Sequence, residues 1–312
     1  MNENTYICET LTIPGSNKMT ALNSLRSYAA LAKSRTLEAF SYTWLAVVGA
    51  LITTRGSPQI VPTVLAALTA FTISLCVYIY NDITDMEMDK LNPTKSSRPL
   101  PSGRATKEQA KKFVCLAGIT GLVLSFFVNF ETFLLCAFWL TWFLAYSTPL
   151  LRLKKRLILK ESTPALGYFL STVIGAKATG YITPTVVFSG LLSGLFIFFS
   201  LPAFRDTTDI KEDKLHGVRS LATILRWKHR LEMVILAVLA IMTLTPLTYA
   251  NFGFNAIFPI IVVAMGFLLL RFLFPLASGI EEKKYRSALK VGTVYFFSIQ
   301  ISMILGALPI MF

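Results

Sequence analysis

Residues 80–104 read YNDITDMEMDKLNPTKSSRPLPSGR, and residues 205–221 read RDTTDIKEDKLHGVRSL. Within them, 82–91 (DITDMEMDKL) and 206–215 (DTTDIKEDKL) agree at Asp82/Asp206, Thr84/Thr208, Asp85/Asp209, Asp89/Asp213, Lys90/Lys214 and Leu91/Leu215. Each copy directly follows a long apolar run. A repeated acidic segment after a repeated apolar run indicates two related halves. Of the 17 Asp and Glu in the chain, eight sit in these two segments.

Outward from the motifs the chain is apolar. Its 312 residues are 54% hydrophobic and 15% charged, against about a quarter charged in soluble domains, and the mean hydropathy is +0.59. A membrane helix needs about 20 mostly apolar residues. Nine runs qualify: roughly 38–54, 60–80, 113–129, 131–150, 163–180, 182–204, 231–250, 253–275 and 289–310. The motifs follow the second and the sixth, so the predicted fold is all-α and polytopic. It comprises two four-helix halves plus a ninth helix in one domain over 1–312, with 1–37 as a cytoplasmic N-terminal segment.

The formal charge of +13 does not point to nucleic acid once its placement is considered. All Lys and Arg except Arg55 and Lys177 fall in 1–37, 81–112, 151–162, 205–230 and 271–290. With nine crossings these segments share one face of the bilayer. Positive bias makes that face cytoplasmic, so both acidic motifs are expected there. Cys8, Cys76, Cys115 and Cys136 show no metal-ligand or redox spacing, and the three in apolar runs read as small core residues. With Glu3 and Glu9 and no early apolar run, the N-terminus does not read as a signal peptide or a transit peptide.

Asp82, Asp85 and Asp89 stand at i, i+3 and i+7, as do Asp206, Asp209 and Asp213. If the preceding helix continues, three carboxylates share one face and repel. Solvated helix-end acids would explain one such segment, but two matching copies beside basic loops point to bound cations. Mg²⁺ takes one or two carboxylates plus substrate phosphates, so a diphosphate substrate fits. Lys95, Arg98 and Arg104 lie in the Pro- and Gly-rich loop after the first motif, positioned to fold over phosphate oxygens. Arg152, Lys154 and Lys155 follow the fourth run at the same face.

These segments resemble the two signatures of the UbiA superfamily of intramembrane prenyltransferases: NDxxDxxxD with a RPLPSGR-like loop, and DxxxD followed by Gly and a basic residue. Residues 145–156, AYSTPLLRLKKR, resemble the tyrosine-and-proline end of the family's fourth helix. The resemblance covers nearly the whole chain, although 157–166 (LILKESTPAL) lacks the Gly-Asn pattern of relatives. It implies a central cavity and two Mg²⁺. Asn81, Asp85 and also Asp82 and Asp89 would hold one, and Asp209 and Asp213, with Asp206 near them, the other. It also implies ionisation of an allylic prenyl diphosphate, with Asp85 and Asp209 catalytic. Lys95, Arg98, Arg104, Arg152 and Lys154 would bind diphosphate, and Tyr146 would steady the carbocation.

Transfer to an aromatic or other lipophilic acceptor is the leading expectation. Cyclisation of the prenyl chain without an acceptor uses the same motifs. A secondary transporter would place its carboxylates near the bilayer midplane, not at helix ends. Arg35 and Glu38, at the mouth of the first helix with Tyr42, are candidates for holding the acceptor. They also fit an interfacial anchor and a first-turn acid. The expected setting is a prokaryotic inner membrane.

Overall fold

A computed structural model describes the backbone of residues 14–309 and side chains from residue 24. Cys8, Glu3, Glu9 and the rest of 1–13 lie outside the described residues, as does the end of the ninth run. Among the described residues the regular structure is helical, with no strand: α1 Pro14–Ser34, α2 Thr36–Thr53, α3 Ile60–Leu91, α4 Lys107–Val128, α5 Phe130–Ser147, α6 Leu159–Thr179, α7 Pro184–Ser200, α8 Ile210–Leu215, α9 Leu221–Ile224, α10 Trp227–Thr248, α11 Ile257–Leu273 and α12 Glu282–Ala307. The nine predicted runs correspond to α2–α7 and α10–α12. Eight of these are long and apolar enough to cross a membrane. The remaining one, α6, carries Lys160, Glu161 and Lys177 within its 21 residues.

Local chemistry sets the helix ends. Thr106 and Gln109 form a reciprocal capping box at the start of α4, Asn129 caps α5 through the Thr132 amide, and Pro184 occupies the first turn of α7 after a Thr183 cap. Leu116, Ile119, Val123, Phe126 and Phe127 stay exposed on α4. Large apolar side chains left exposed in such a band face lipid, and the chain is an integral multi-pass membrane protein. Cys76 and Cys136 are buried as expected, but Cys115 is exposed on α4, so it is not a core residue.

The two halves meet where α2 crosses α6. A Cβ at Gly49 would stand 1.9 Å from the Thr172 carbonyl oxygen, and one at Gly175 would stand 1.7 Å from that of Ala46. The first helices of the halves therefore touch backbone to backbone, as small residues allow in membranes. From this seam α2 also contacts α3, α7 and α12. That fixes the end of α3 and the end of α7 on one side of the bundle.

The N-terminal segment is not a plain cytoplasmic extension. Leu31 of α1 is buried with Ile79, Ile83 and Leu100, and Ser27 Oγ donates to the Arg104 carbonyl at 3.1 Å. Helix α1 thus braces the loop that follows the first acidic motif.

Replacing Gly175 with Ala forces the α2–α6 seam apart. We expect a loss of about 1–3 kcal/mol or more, read as a fall of several degrees in the thermal midpoint of the detergent-solubilised protein. An unchanged midpoint would contradict the seam.

Candidate active site

Helix α3 has 32 residues, about 48 Å at 1.5 Å per residue, against a hydrocarbon core of about 30 Å. Its last turns therefore emerge from the apolar layer without breaking, and they carry the first motif. The face turned to the central cavity runs through Tyr78, Asn81, Asp85, Met88 and Asp89. The expected Asp82–Asp85–Asp89 face is thus rotated. Asp82, one residue past Asn81, turns about 100° away and is 3% exposed.

There Asp82 meets Arg35. The guanidinium donates through Nε at 2.8 Å and through Nη2, while Nη1 donates to Glu38 at 2.9 Å. Arg98 joins Asp82 (3.3 Å) to Asp89 (2.7 Å). Asp82 is therefore the anchor of an ion-pair network rather than a cavity-lining group. Removing one member of such a buried pair costs about 3–5 kcal/mol. Arg35 still borders the cavity, but its donors are committed to Asp82 and Glu38.

The second motif does not lie on a continuing helix. Helix α7 stops at Ser200, residues Arg205–Thr208 form a 3-10 turn, and α8 follows. Pro202 interrupts the helical hydrogen bonding. Carbonyls within the bend find buried partners: Arg230 donates to Pro202 O at 2.8 Å and Tyr285 to Phe204 O. This bend brings Asp206, Asp209 and Asp213 to the cavity together with Glu212. The i, i+3, i+7 spacing reaches the site through a turn and a short helix.

The loop between α3 and α4 crosses from one motif to the other. Lys95 pairs with Asp209 at 2.8 Å and lies 4.0 Å from Glu212. Asn92 Nδ2 donates to Glu212 at 2.6 Å. Arg152 and Lys154 come from the segment after α5: Lys154 Nζ reaches Asp85 at 2.5 Å and Asn81 at 2.9 Å, and Arg152 reaches Asp85 at 3.7 Å. Burial pushes the Lys154 ammonium below its ordinary value against the pull of Asp85. Arg104 is not brought to the cavity. It is exposed, and its guanidinium turns back on Ser102 and the Ser97 carbonyl.

The cavity measures about 340 Å³. Ion-paired groups fill its motif end, and Tyr78, Phe143, Tyr146 and Tyr168 wall the rest. Tyr146 is where the sequence put it, its hydroxyl donating to Lys160 O at 3.4 Å. Tyr80 instead pairs with Thr148 away from the cavity. Sequence reasoning missed Tyr78 and Tyr168, and it missed Lys160 and Arg205 as lining groups. The signal for Tyr78 was present: it stands three residues before Asn81 and seven before Asp85, on the same helical stripe.

Among the described residues no three acidic, His or Cys side chains converge into an all-protein metal cage. The Asn81 and Asp85 oxygens already converge on one cation, the Lys154 ammonium, so this donor set suits a hard cation.

The UbiA prenyltransferase family pattern matches residues 42–298. Over 234 residues the chain is 32% identical to digeranylgeranylglyceryl phosphate synthase of Sulfolobus acidocaldarius, covering 71% of this chain and 79% of that protein. Over 255 residues it is 28% identical to the synthase of Sulfurisphaera tokodaii, covering 79% and 86%. A solved structure of a digeranylgeranylglyceryl phosphate synthase superposes with a TM-score of 0.70 at 23% identity, covering 92% of this chain and 99% of that one. A UbiA homologue from Archaeoglobus fulgidus bound to DMAPP and Mg²⁺ superposes at 0.65 and 14% identity, covering 89% and 99%. Two acidic motifs facing across one aromatic-walled cavity, and a family pattern spanning nearly all the membrane helices, lead to one assignment: the chain is a prenyltransferase of the UbiA family.

Proposed function

We propose that this chain ionises an allylic prenyl diphosphate at the motif end of the cavity. The prenyl group then passes to a lipophilic alcohol of the glyceryl phosphate class. The observation that carries the reading is that acids of both motifs border one cavity with an aromatic wall, together with seven basic side chains, of which Lys95, Arg98, Arg152 and Lys154 stand on loops or turns. The acceptor class is supported by relatives named for digeranylgeranylglyceryl phosphate.

Asn81, Asp85, Asp89 and Asp209 are the residues that would hold Mg²⁺. When bound, Mg²⁺ supplies charge neutralisation to the leaving diphosphate. Lys154, Arg152 and Arg98 take phosphate oxygens from the first-motif side, and Lys95 takes them from the loop above the second. All four have an acidic partner to return to when the diphosphate departs. As the C1–O bond breaks, positive charge grows on the allyl carbons. The ring faces of Tyr78, Phe143, Tyr146 and Tyr168 stabilise it and keep water away. The acceptor hydroxyl oxygen then bonds to C1, and its proton leaves with the released diphosphate. Arg205, half exposed at the cavity and paired with Glu38 at 2.9 Å, carries a guanidinium suited to an anionic headgroup on the acceptor. The clustering of basic segments at the motif face supports a cytoplasmic placement of that face.

Purified protein with Mg²⁺ and geranylgeranyl diphosphate should form an ether product with a geranylgeranylated glyceryl phosphate, and none with phenolic acids. Product with the phenolic acids alone would reassign the acceptor. Cyclised hydrocarbon without any acceptor would overturn transfer itself. At Tyr146 the ring and not the hydroxyl is used. Tyr146→Phe should therefore keep kcat within about twofold, while Tyr146→Leu should lose about tenfold, the size of one cation–π contact. Equal losses in single-turnover assays would count against a cation-facing ring.

A further inference from the structure

Lys160 has no part in the reading above, yet it sits inside the second motif. Its ammonium donates to Asp213 and lies 3.4 Å from Asp206. All three side chains are nearly closed to solvent, at 13% for Lys160 and 11% for each carboxylate. Lys154 is the corresponding cation of the first motif, but the two are mounted differently. Lys154 stands on a short 3-10 turn between helices, and one carboxylate holds it. Lys160 is the second residue of α6, and two carboxylates hold it.

The backbone around Lys160 is fixed to the motif from both sides. The Arg219 amide donates to the Lys155 carbonyl at 3.1 Å. The Leu221 amide donates to the buried Glu161 carboxylate at 2.7 Å. Val218, next to this clamp, donates its amide to Asp213 O at 2.8 Å. Ile158, which precedes α6, has φ +71°, a conformation that a β-branched side chain resists and that surrounding structure must enforce. The first turn of α6 is therefore registered against the segment that carries Asp213, which directs the Lys160 ammonium onto Asp206 and Asp213.

We infer that Lys160 is a built-in cation of the second motif. It joins Asp206 to Asp213 where a metal ion would otherwise sit, so the diphosphate site loads with a single divalent cation. A divalent ion placed on Asp206 and Asp213 would share both carboxylates with a fixed ammonium and be repelled by it. Asp209 is outside this pair, held by Lys95 of the α3–α4 loop at 2.8 Å, and would stay available to an ion on Asn81 and Asp85. The two-ion arrangement implied by the family resemblance is thus reduced to one in this chain. The inference rests on the proposed metal-assisted reaction.

The test counts ions directly. Detergent-purified protein with inorganic pyrophosphate is titrated with Mn²⁺, free Mn²⁺ is read by its EPR signal, and the same titration of pyrophosphate without protein is subtracted. The wild type should bind one Mn²⁺ per chain. Lys160→Gln, close in shape and uncharged, and Lys160→Ala should each bind two, whereas Lys160→Arg should remain at one. Two ions in the wild type would overturn the inference and leave the metal-assisted reading standing. So would a neutral variant that melts normally and still binds one. Should neither neutral variant fold, the wild-type count decides by itself. No bound ion in the wild type would overturn both.

Discussion

The carboxylates of Asp82, Asp85, Asp89, Asp206, Asp209, Glu212 and Asp213 are gathered at one end of an apolar helical bundle, and the structure is organised around offsetting their repulsion. Each is engaged by a named partner: Asp82 by Arg35 and Arg98, Asp85 by Lys154, Asp89 by Arg98, Asp206 and Asp213 by Lys160, Asp209 by Lys95 and Glu212 by Asn92. Such pairs are costly to desolvate and costlier to break singly. They persist here because a helical frame brings the partners in from several elements. The α2–α6 seam sets the distance between the halves, and the α3–α4 loop ties the motifs across it.

The division of cations follows from how each is mounted. Arg35, at the junction of α1 and α2, serves Asp82 below the cavity surface. Lys95, Arg98, Arg152 and Lys154 stand on loops or turns, where a side chain can exchange a carboxylate for a phosphate at small cost in backbone rearrangement. The aromatic wall begins on the next turn of α3 with Tyr78, over which the Arg35 guanidinium lies at 5.5 Å. A charged end and an apolar aromatic end thus adjoin within one cavity, matching an amphiphile with a diphosphate head and a prenyl tail.

Much of this could be read from residues alone. The apolar runs gave the long helices, because a membrane helix must be apolar over a fixed length. The repeat DITDMEMDKL/DTTDIKEDKL located both motifs, because like charges at matched positions need a common purpose. Periodicity could not say which aspartate faces the cavity. Asp82 belongs to the stripe on paper, and it turns away because Arg35, 47 residues earlier, claims it. Nor could spacing show that the second motif leaves the helix, since that follows from Pro202 and from the Arg230 and Tyr285 donors that satisfy the bend. Arg104 read as a clamp from its loop, but its guanidinium is spent on that loop's own Ser97 and Ser102. Lys160 and Tyr168 reach the site through long-range packing of α6 against α2 and against the second-motif segment, which no local pattern encodes.

The central claim is that the motifs of the two halves form one binding unit. It is tested most directly by titrating an unreactive thiolodiphosphate analogue of the prenyl substrate, with Mg²⁺, into wild type, Asp85→Asn, Asp209→Asn and the double variant by calorimetry. A shared unit predicts that each single change weakens binding at least about tenfold and that the double change adds little, a coupling above about 1 kcal/mol. Losses that simply add, or a single variant that binds as tightly as the wild type, would contradict it.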